Sequence, residues 1–332
     1  MPLRKFIQLP ILAVTAVVLI SVYLLSNFQA PAPQDNLFKS FLVKKGESAT
    51  EIARNLKNAG LIKSPLIFKT VVVLKKTASK IEAGDYLLSP DQNLLEIIAS
   101  IQKGPQDIWI TLPEGLRKEE IANKLFQSFS SQANNQFNPD EFLEDSRTPN
   151  NLEGYLFPDT YLFSKSATSS AIIRKMTINF TKRTDPVFKD RSNGLSIYQT
   201  LILASLLERE VRTDLDKAIV AGIIIKRLKN RWPLDIDATL QYAKASNNCL
   251  SISCKWWPTL TSSDKNISSP FNTYKSPGLP PSPISNPGTN SIKAASFPRN
   301  SDYWFYLSDA KGATHFARSL EEHQANINTY LK

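Results

Sequence analysis

The chain has 332 residues, 42% apolar and 21% charged, which excludes a disordered polypeptide and suffices for two or three folded units. Forty Lys and Arg against 30 Asp and Glu leave a net charge of +10, which suits an anionic partner such as a phospholipid surface or an acidic polymer. Lys and Arg are scattered rather than clustered, so no nucleic-acid partner is expected. The two histidines, His315 and His323, lack paired ligand spacing, so no metal is expected either.

Arg4 and Lys5 precede Phe6–Ser26, an uncharged stretch interrupted only by Gln8, Pro10, Thr15 and Ser21. About 20 apolar residues span a bilayer, and basic residues on the short N-terminal side keep that side in the cytoplasm. The reading is a cytoplasmic N-terminus at 1–5, a transmembrane helix at 6–26 and an extended linker at 27–37 carrying Pro31 and Pro33. A cleaved signal peptide is the alternative, but the two prolines crowd the small-residue site near Ala30. Either way, the chain beyond residue 35 is expected outside the cytoplasm.

A pattern then repeats. Phe41–Lys45 is strand-like, followed by Gly46 and the helix face Glu51, Ile52, Ala53 and Leu56. Ile108–Pro113 is strand-like too, followed by Gly115 and Glu120, Ile121, Ala122 and Leu125. Lys80–Leu88 predicts another strand, and Leu94, Leu95, Ile97, Ile98 and Ile101 predict a helix closed by Gly104-Pro105. The unit 38–104 resembles a LysM module in its strand–helix–helix–strand economy, which implies binding to N-acetylglucosamine polymers. A polar, loop-like insert is expected at 129–150, and the aromatic run Asn151–Tyr161 suits one wall of a carbohydrate groove.

The densest signal lies at Ser196–Asp237. A helix is expected from Ser196 through Leu201–Leu207 to Glu208, Arg209 and Glu210, and a second from Thr213, capped with Asp216 three residues on, to Leu228. Glu208 and Glu210 lie about 200° apart on a helix and cannot share a face. Glu208 has Arg212 four residues later, the favourable ion-pair order, and so reads as a supporting acceptor. Glu210 has no such cation. The negative end of the helix dipole, the leucines behind it and Asp214 soon after all favour its protonated form, which is what a general acid needs.

Asp235 and Asp237 are candidates for a second carboxylate or for capping a turn. The exported cysteines, Cys249 and Cys254, have four residues between them and can bridge or remain free. Beyond Pro258 the chain is proline-rich and loop-like. It ends in a strand at Tyr303–Leu307 and a helix at Leu320–Leu331.

Seven short motifs, in order, resemble the endolytic murein transglycosylases of the YceG-like family. They are Leu203–Glu210, Asp237-Ala-Thr239 with Tyr242, Phe271-Asn-Thr-Tyr274, Gly278–Pro281, Ile284 with Asn286-Pro-Gly288, Ser291–Ala295 and Thr314-His-Phe316. Ala238 departs from the family's usual proline, Gln324 from its asparagine, and the Cys249–Trp257 segment is not a family hallmark. The resemblance implies an α+β fold with a connecting αβ region at 105–190 and a catalytic domain at 191–332. It implies a cofactor-free lytic enzyme that cuts peptidoglycan strands internally and leaves 1,6-anhydro-N-acetylmuramic acid ends. It also implies a single-pass bacterial inner-membrane protein working beside penicillin-binding synthases. The family's acid maps onto Glu210, with Glu208 behind it and Asp237, Thr239, Tyr242, Asn272 and Tyr274 as groove residues. The rival readings are a muramidase aided by Asp235 or Asp237, and a non-catalytic glycan-binding scaffold.

Overall fold

The structure is a computed structural model that describes residues 3–44, 46–105, 107–130, 136–147 and 151–331. Helix α1 (Leu3–Phe28) covers the predicted anchor, but the side chains of residues 3–14 and 16 lie outside those described. Among the described residues no helix is long and apolar enough to cross a membrane. The chain clusters into two units, Met1–Trp109 with Leu162–Lys165, and Ile110–Tyr161 with Ser166–Lys332.

In the first unit, strand β1 (Lys39–Val43), helices α2 (Ala49–Asn58) and α3 (Pro65–Leu74), strand β2 (Gly84–Leu88) and helix α4 (Leu94–Gln102) follow in order. β1 and β2 pair antiparallel with Phe41 opposite Tyr86. Alternation sends Phe41, Val43, Tyr86 and Leu88 inward onto Ile52, Leu56, Phe68, Ile97 and Ile101. The helices start where local chemistry dictates. Ser48 with Glu51 and Asn93 with Glu96 form capping boxes, and Ser64 caps α3 ahead of Pro65. Gly46 adopts φ 82° in the turn before α2, a left-handed conformation that favours glycine.

The second copy of that pattern is strand β3 (Asp107–Leu112), Gly115 at φ 78° and helix α5 (Lys118–Phe129). The polar stretch 129–150 predicts a loop, yet helix α6 (Pro139–Asp145) forms inside it. Asn138 caps its first turn and Phe142 is buried; residues 131–135 and 148–150 of that stretch lie outside those described. Strand β4 (Asp159–Ser164) pairs with β3, and the 21-residue helix α7 (Ser169–Lys189) follows.

Helix α8 (Ile197–Glu210) is the centre of the second unit. Every residue from Thr200 to Leu207 is buried, so the helix is covered on all sides rather than along one stripe. α9 (Asp214–Lys229), α10 (Asp237–Asn248) and α11 (Thr289–Ser296) pack around it. Leu203, Leu206, Leu207, Ile224, Ile236, Ile284, Ile292 and Ala295 form one continuous cluster. One of these helices corrects the reading of a loop. α10 begins at Asp237, and α11 forms within the proline-rich segment because Pro287-Gly288 ends just where its first turn starts. The chain closes with the antiparallel pair β5 (Phe305–Ser308) and β6 (Thr314–Ala317) and helix α12 (Leu320–Tyr330). Cys249 and Cys254 are joined in a disulfide, their Cα atoms 5.8 Å apart.

Candidate active site

Three elements converge on Glu210: the C-terminal end of α8, the N-terminal end of α10 and strand β5. Ser196 and Gln199 cap the start of α8, and Val211 turns extended after Glu210, so the carboxyl sits on the helix's last residue. The backbone N–H of Ala238, in the first turn of α10, donates to Glu210 Oε1 at 3.4 Å. From β5 the Tyr306 hydroxyl donates to Oε2 at 3.4 Å, while the Ser308 hydroxyl donates to the Glu210 backbone carbonyl at 3.0 Å.

These neighbours oppose one another electrostatically. Burial, then the nearby Asp237 carboxylate, push Glu210 up to about 7 from an ordinary 4.5. The Ala238 N–H, the Tyr306 hydroxyl and Arg209 act in the other direction. The N-terminal end of α10 also favours the carboxylate form. A carboxyl balanced this way can release a proton near neutral pH and take one back. The electrostatic partner is therefore Asp237, 27 positions along the chain, and not Asp214, whose carboxylate accepts from Asn290 at 3.0 Å.

Glu210 opens onto a cleft of about 830 Å³. Arg209, Asp235, Asp237, Gln241, Lys265 and Tyr274 line it, together with Phe305, Tyr306, Leu320, His323 and Ile327. Tyr274 donates its hydroxyl to Asp237 Oδ1 at 2.7 Å, which occupies one oxygen of that carboxylate. Burial and Asp237 hold the Tyr274 phenol above its usual range, so it remains a donor. The Lys265 ammonium lies 4.7 Å from the Tyr274 ring.

The expected groove residues separate into two groups. Asp237 and Tyr274 join Glu210 in the cleft. Thr239, Asn272 and Tyr242 are buried behind it and do not line it. Thr239 Oγ1 donates to the Ile236 carbonyl at 2.7 Å and lies 2.9 Å from Thr273 Oγ1, fastening the start of α10 to the 271–274 turn. Asn272 Nδ2 donates to the carbonyls of Lys265 and Ile267 at 3.0 and 2.8 Å, while its Oδ1 accepts from the Tyr274 N–H at 3.0 Å. Tyr242 packs between Phe271 and the buried Arg117 guanidinium. These side chains hold the loop that carries Tyr274.

Glu208 also differs from expectation. The ion pair with Arg212 does not form, because α8 ends at Glu210 and the i,i+4 geometry is lost beyond it. Glu208 instead binds Lys217 of α9 at 3.0 Å in a buried pair, and its second oxygen accepts the Gly288 N–H at 2.8 Å. Arg212 is exposed and donates to the Lys311 carbonyl at 3.3 Å. Glu208 thus ties α8 to α9 and to the start of α11. Asn286 is a second hub. Its Oδ1 accepts from the Gly154 and Leu156 N–H groups, both at 2.9 Å, and its Nδ2 donates to the Leu116 carbonyl and to buried Glu153.

Arg209, Lys265 and Tyr306 line the cleft without having been expected there. Tyr306 falls on a strand far along the chain and carries no local signal. Arg209 could have been suspected from its place beside the acid.

Comparison with known proteins agrees with the motif series. The YceG-like family model matches residues 41–329. A Bacillus subtilis (strain 168) protein named endolytic murein transglycosylase is 32% identical over 312 residues, covering 87% of this chain and 84% of its own. A Streptococcus pneumoniae (strain D39) protein of the same name is 28% identical over 325 residues, and the match spans 87% of this chain but 58% of that longer relative. The crystal structure of a YceG-like protein from Listeria monocytogenes superposes with a TM-score of 0.56 at 26% identity, covering 87% of this chain and 99% of that one. With a mixed α+β fold and a family match running through both units, this chain belongs to the YceG-like family.

Proposed function

We propose that this protein is an endolytic murein transglycosylase that cleaves peptidoglycan glycan strands with Glu210 as its acid and base. The observation that carries the reading is the Glu210 carboxyl, half-buried at the end of α8, pushed up to about 7 and facing a cleft of about 830 Å³. Protonated Glu210 donates to the oxygen linking N-acetylmuramic acid C1 to N-acetylglucosamine, and that bond breaks with the electron pair leaving on the oxygen. The carboxylate left behind takes the proton from the muramyl C6 hydroxyl as that oxygen bonds to C1. The product is a 1,6-anhydro end, and Glu210 is returned to its starting form. The Ala238 N–H and the Tyr306 hydroxyl hold the carboxylate through the second half. An internal hydroxyl at high effective concentration makes a water-activating second carboxylate unnecessary. Asp237 and Tyr274 contact the sugar, with Thr239, Asn272 and Tyr242 positioning them.

In the same reading α1 anchors the chain once in the bacterial inner membrane with its N-terminus in the cytoplasm. The β1–α2–α3–β2 order supports a LysM-like unit that holds the glycan. Cleavage then occurs near the membrane, beside penicillin-binding synthases, on nascent strands.

The test uses the full chain in detergent on purified sacculi, with mass spectrometry of the released fragments. Anhydro-muramyl ends from the native protein, and their loss in Glu210→Gln, are expected. Reducing muramyl ends would identify a hydrolase, and unaltered cleavage by Glu210→Gln would remove Glu210 from the chemistry.

A further inference from the structure

The segment Cys249–Trp257, which the family motifs do not include, reaches the cleft through a stack of side chains. The Cys249–Cys254 disulfide closes the loop, and Trp256 donates its indole N–H to the Ile252 carbonyl inside it at 3.2 Å. Trp256 is buried against the guanidinium of Arg117, itself only 1% exposed, with 4.5 Å between the charge and the ring centre. Trp257 is thereby held in one orientation. Its indole N–H donates to Glu120 Oε2 at 2.9 Å, and the Arg209 guanidinium carbon lies over its ring, 3.8 Å from the centre.

Arg209 is the residue before Glu210 and lines the same cleft. Among the described residues it forms no ion pair, and its one hydrogen bond to protein is a long donation to the Gly115 carbonyl at 3.4 Å. Glu120, Glu208 and Glu210 act on it only through space, and Glu120 Oε2 is engaged by Trp257 and by the Arg117 backbone N–H. A planar guanidinium has five N–H donors in a fixed fork, and stacking on an indole fixes that fork without using its edge. The result is an oriented cation at the acid's shoulder with most of its donors directed to no protein group. Such a fork matches a carboxylate.

We propose that the disulfide-closed loop, acting through Trp257, makes Arg209 a carboxylate-reading subsite for the acidic groups borne by the muramyl residue. This rests on the transglycosylase reading and adds to it a preference for strands that carry negative charge next to the cut bond. Two sources present that chemistry: the carboxylates of the stem peptide, and the lactyl carboxylate exposed when the peptide has been removed. Arg209 would touch substrate, whereas Trp257 and the disulfide are positioning elements.

The experiment compares three strand preparations with the full chain in detergent: peptide-bearing, amidase-stripped, and carbodiimide-amidated so that carboxylates become neutral amides. The native protein is expected to show kcat/KM about tenfold lower on amidated than on peptide-bearing strands, mostly through KM. In Arg209→Gln that ratio should fall to about one. Trp257→Phe should keep it, while Trp257→Ala and the Cys249→Ser/Cys254→Ser double variant should lose most of it. Stripped strands behaving like peptide-bearing ones would show that the lactyl carboxylate can stand in for the stem carboxylates, and behaving like amidated ones that only the stem carboxylates are read. Both assignments support the subsite. A native ratio of one, or an unchanged ratio in Arg209→Gln, would overturn it. The same ratios read as binding by Glu210→Gln, alone and with Arg209→Gln, decide the subsite without turnover. Absence of cleavage by the native chain would then count against the transglycosylase reading alone.

Discussion

The Tyr306 hydroxyl points at Glu210 Oε2 from 3.4 Å, bringing a strand near the C-terminus against the last residue of the central helix. The bond stabilises the carboxylate over the acid. Tyr306→Phe should therefore raise the apparent pKa on the alkaline limb of kcat/KM. Its rate loss should be far smaller than the 10²–10⁴-fold, at roughly the scale of general acid catalysis, expected of Glu210→Gln. A pH–rate profile of the two variants checks both statements.

Ala238 offers a second handle on the same group. Its N–H donates to Glu210, whereas the proline usual at this place in the family has no N–H to give. The first turn of a helix tolerates proline, so Ala238→Pro should fold. It should shift the alkaline limb upward, and an unmoved limb would show that this contact does not set the acid's strength.

Glu210 should also leave a mark on stability. Its folded value of about 7 lies above the ordinary 4.5, so the folded state holds an extra proton between those limits. Stability contributed by this group is therefore highest at low pH and declines as pH rises through that window. Glu210→Gln removes the penalty and should be more stable than the native protein at pH 8 by roughly 1–3 kcal/mol, with little difference at pH 4. Denaturant titrations at the two pH values measure it.

The buried Glu208–Lys217 pair predicts a different response. Removing one partner strands the other charge among apolar side chains, so Lys217→Met should cost about 3–5 kcal/mol. Exposed Arg212→Ala should stay within about 0.5 kcal/mol. Equal losses in a chemical denaturation series would contradict the pairing.

Gly222 sits inside α9, where alanine would ordinarily favour the helix by about 1 kcal/mol. A Cβ there, however, would collide with the Arg299 backbone carbonyl, and the Arg299 N–H is tied to Ala218 at 2.8 Å. Gly222→Ala should thus destabilise by about 1–3 kcal/mol. It should also depress activity, because the displaced segment leads into β5 and Tyr306. A melting temperature at or above the native one would refute this.

What the sequence by itself determined was local. Ser196 and Thr213 start α8 and α9 through hydrogen bonds spanning three residues, and Glu210 ends the first of them. The glycine turns before α2 and α5 were legible for the same reason, since backbone conformation is set by near neighbours. The tertiary structure decided what surrounds Glu210. Asp237, Ala238 and Tyr306 come from residues 27 to 96 positions away, and no periodicity encodes which of several acids will be drawn into one cleft. The same packing turned Thr239 and Asn272 inward and gave Glu208 to Lys217 rather than Arg212. Side-chain charge and hydrogen bonding act over a few ångströms, and only the folded chain fixes which residues lie within that reach.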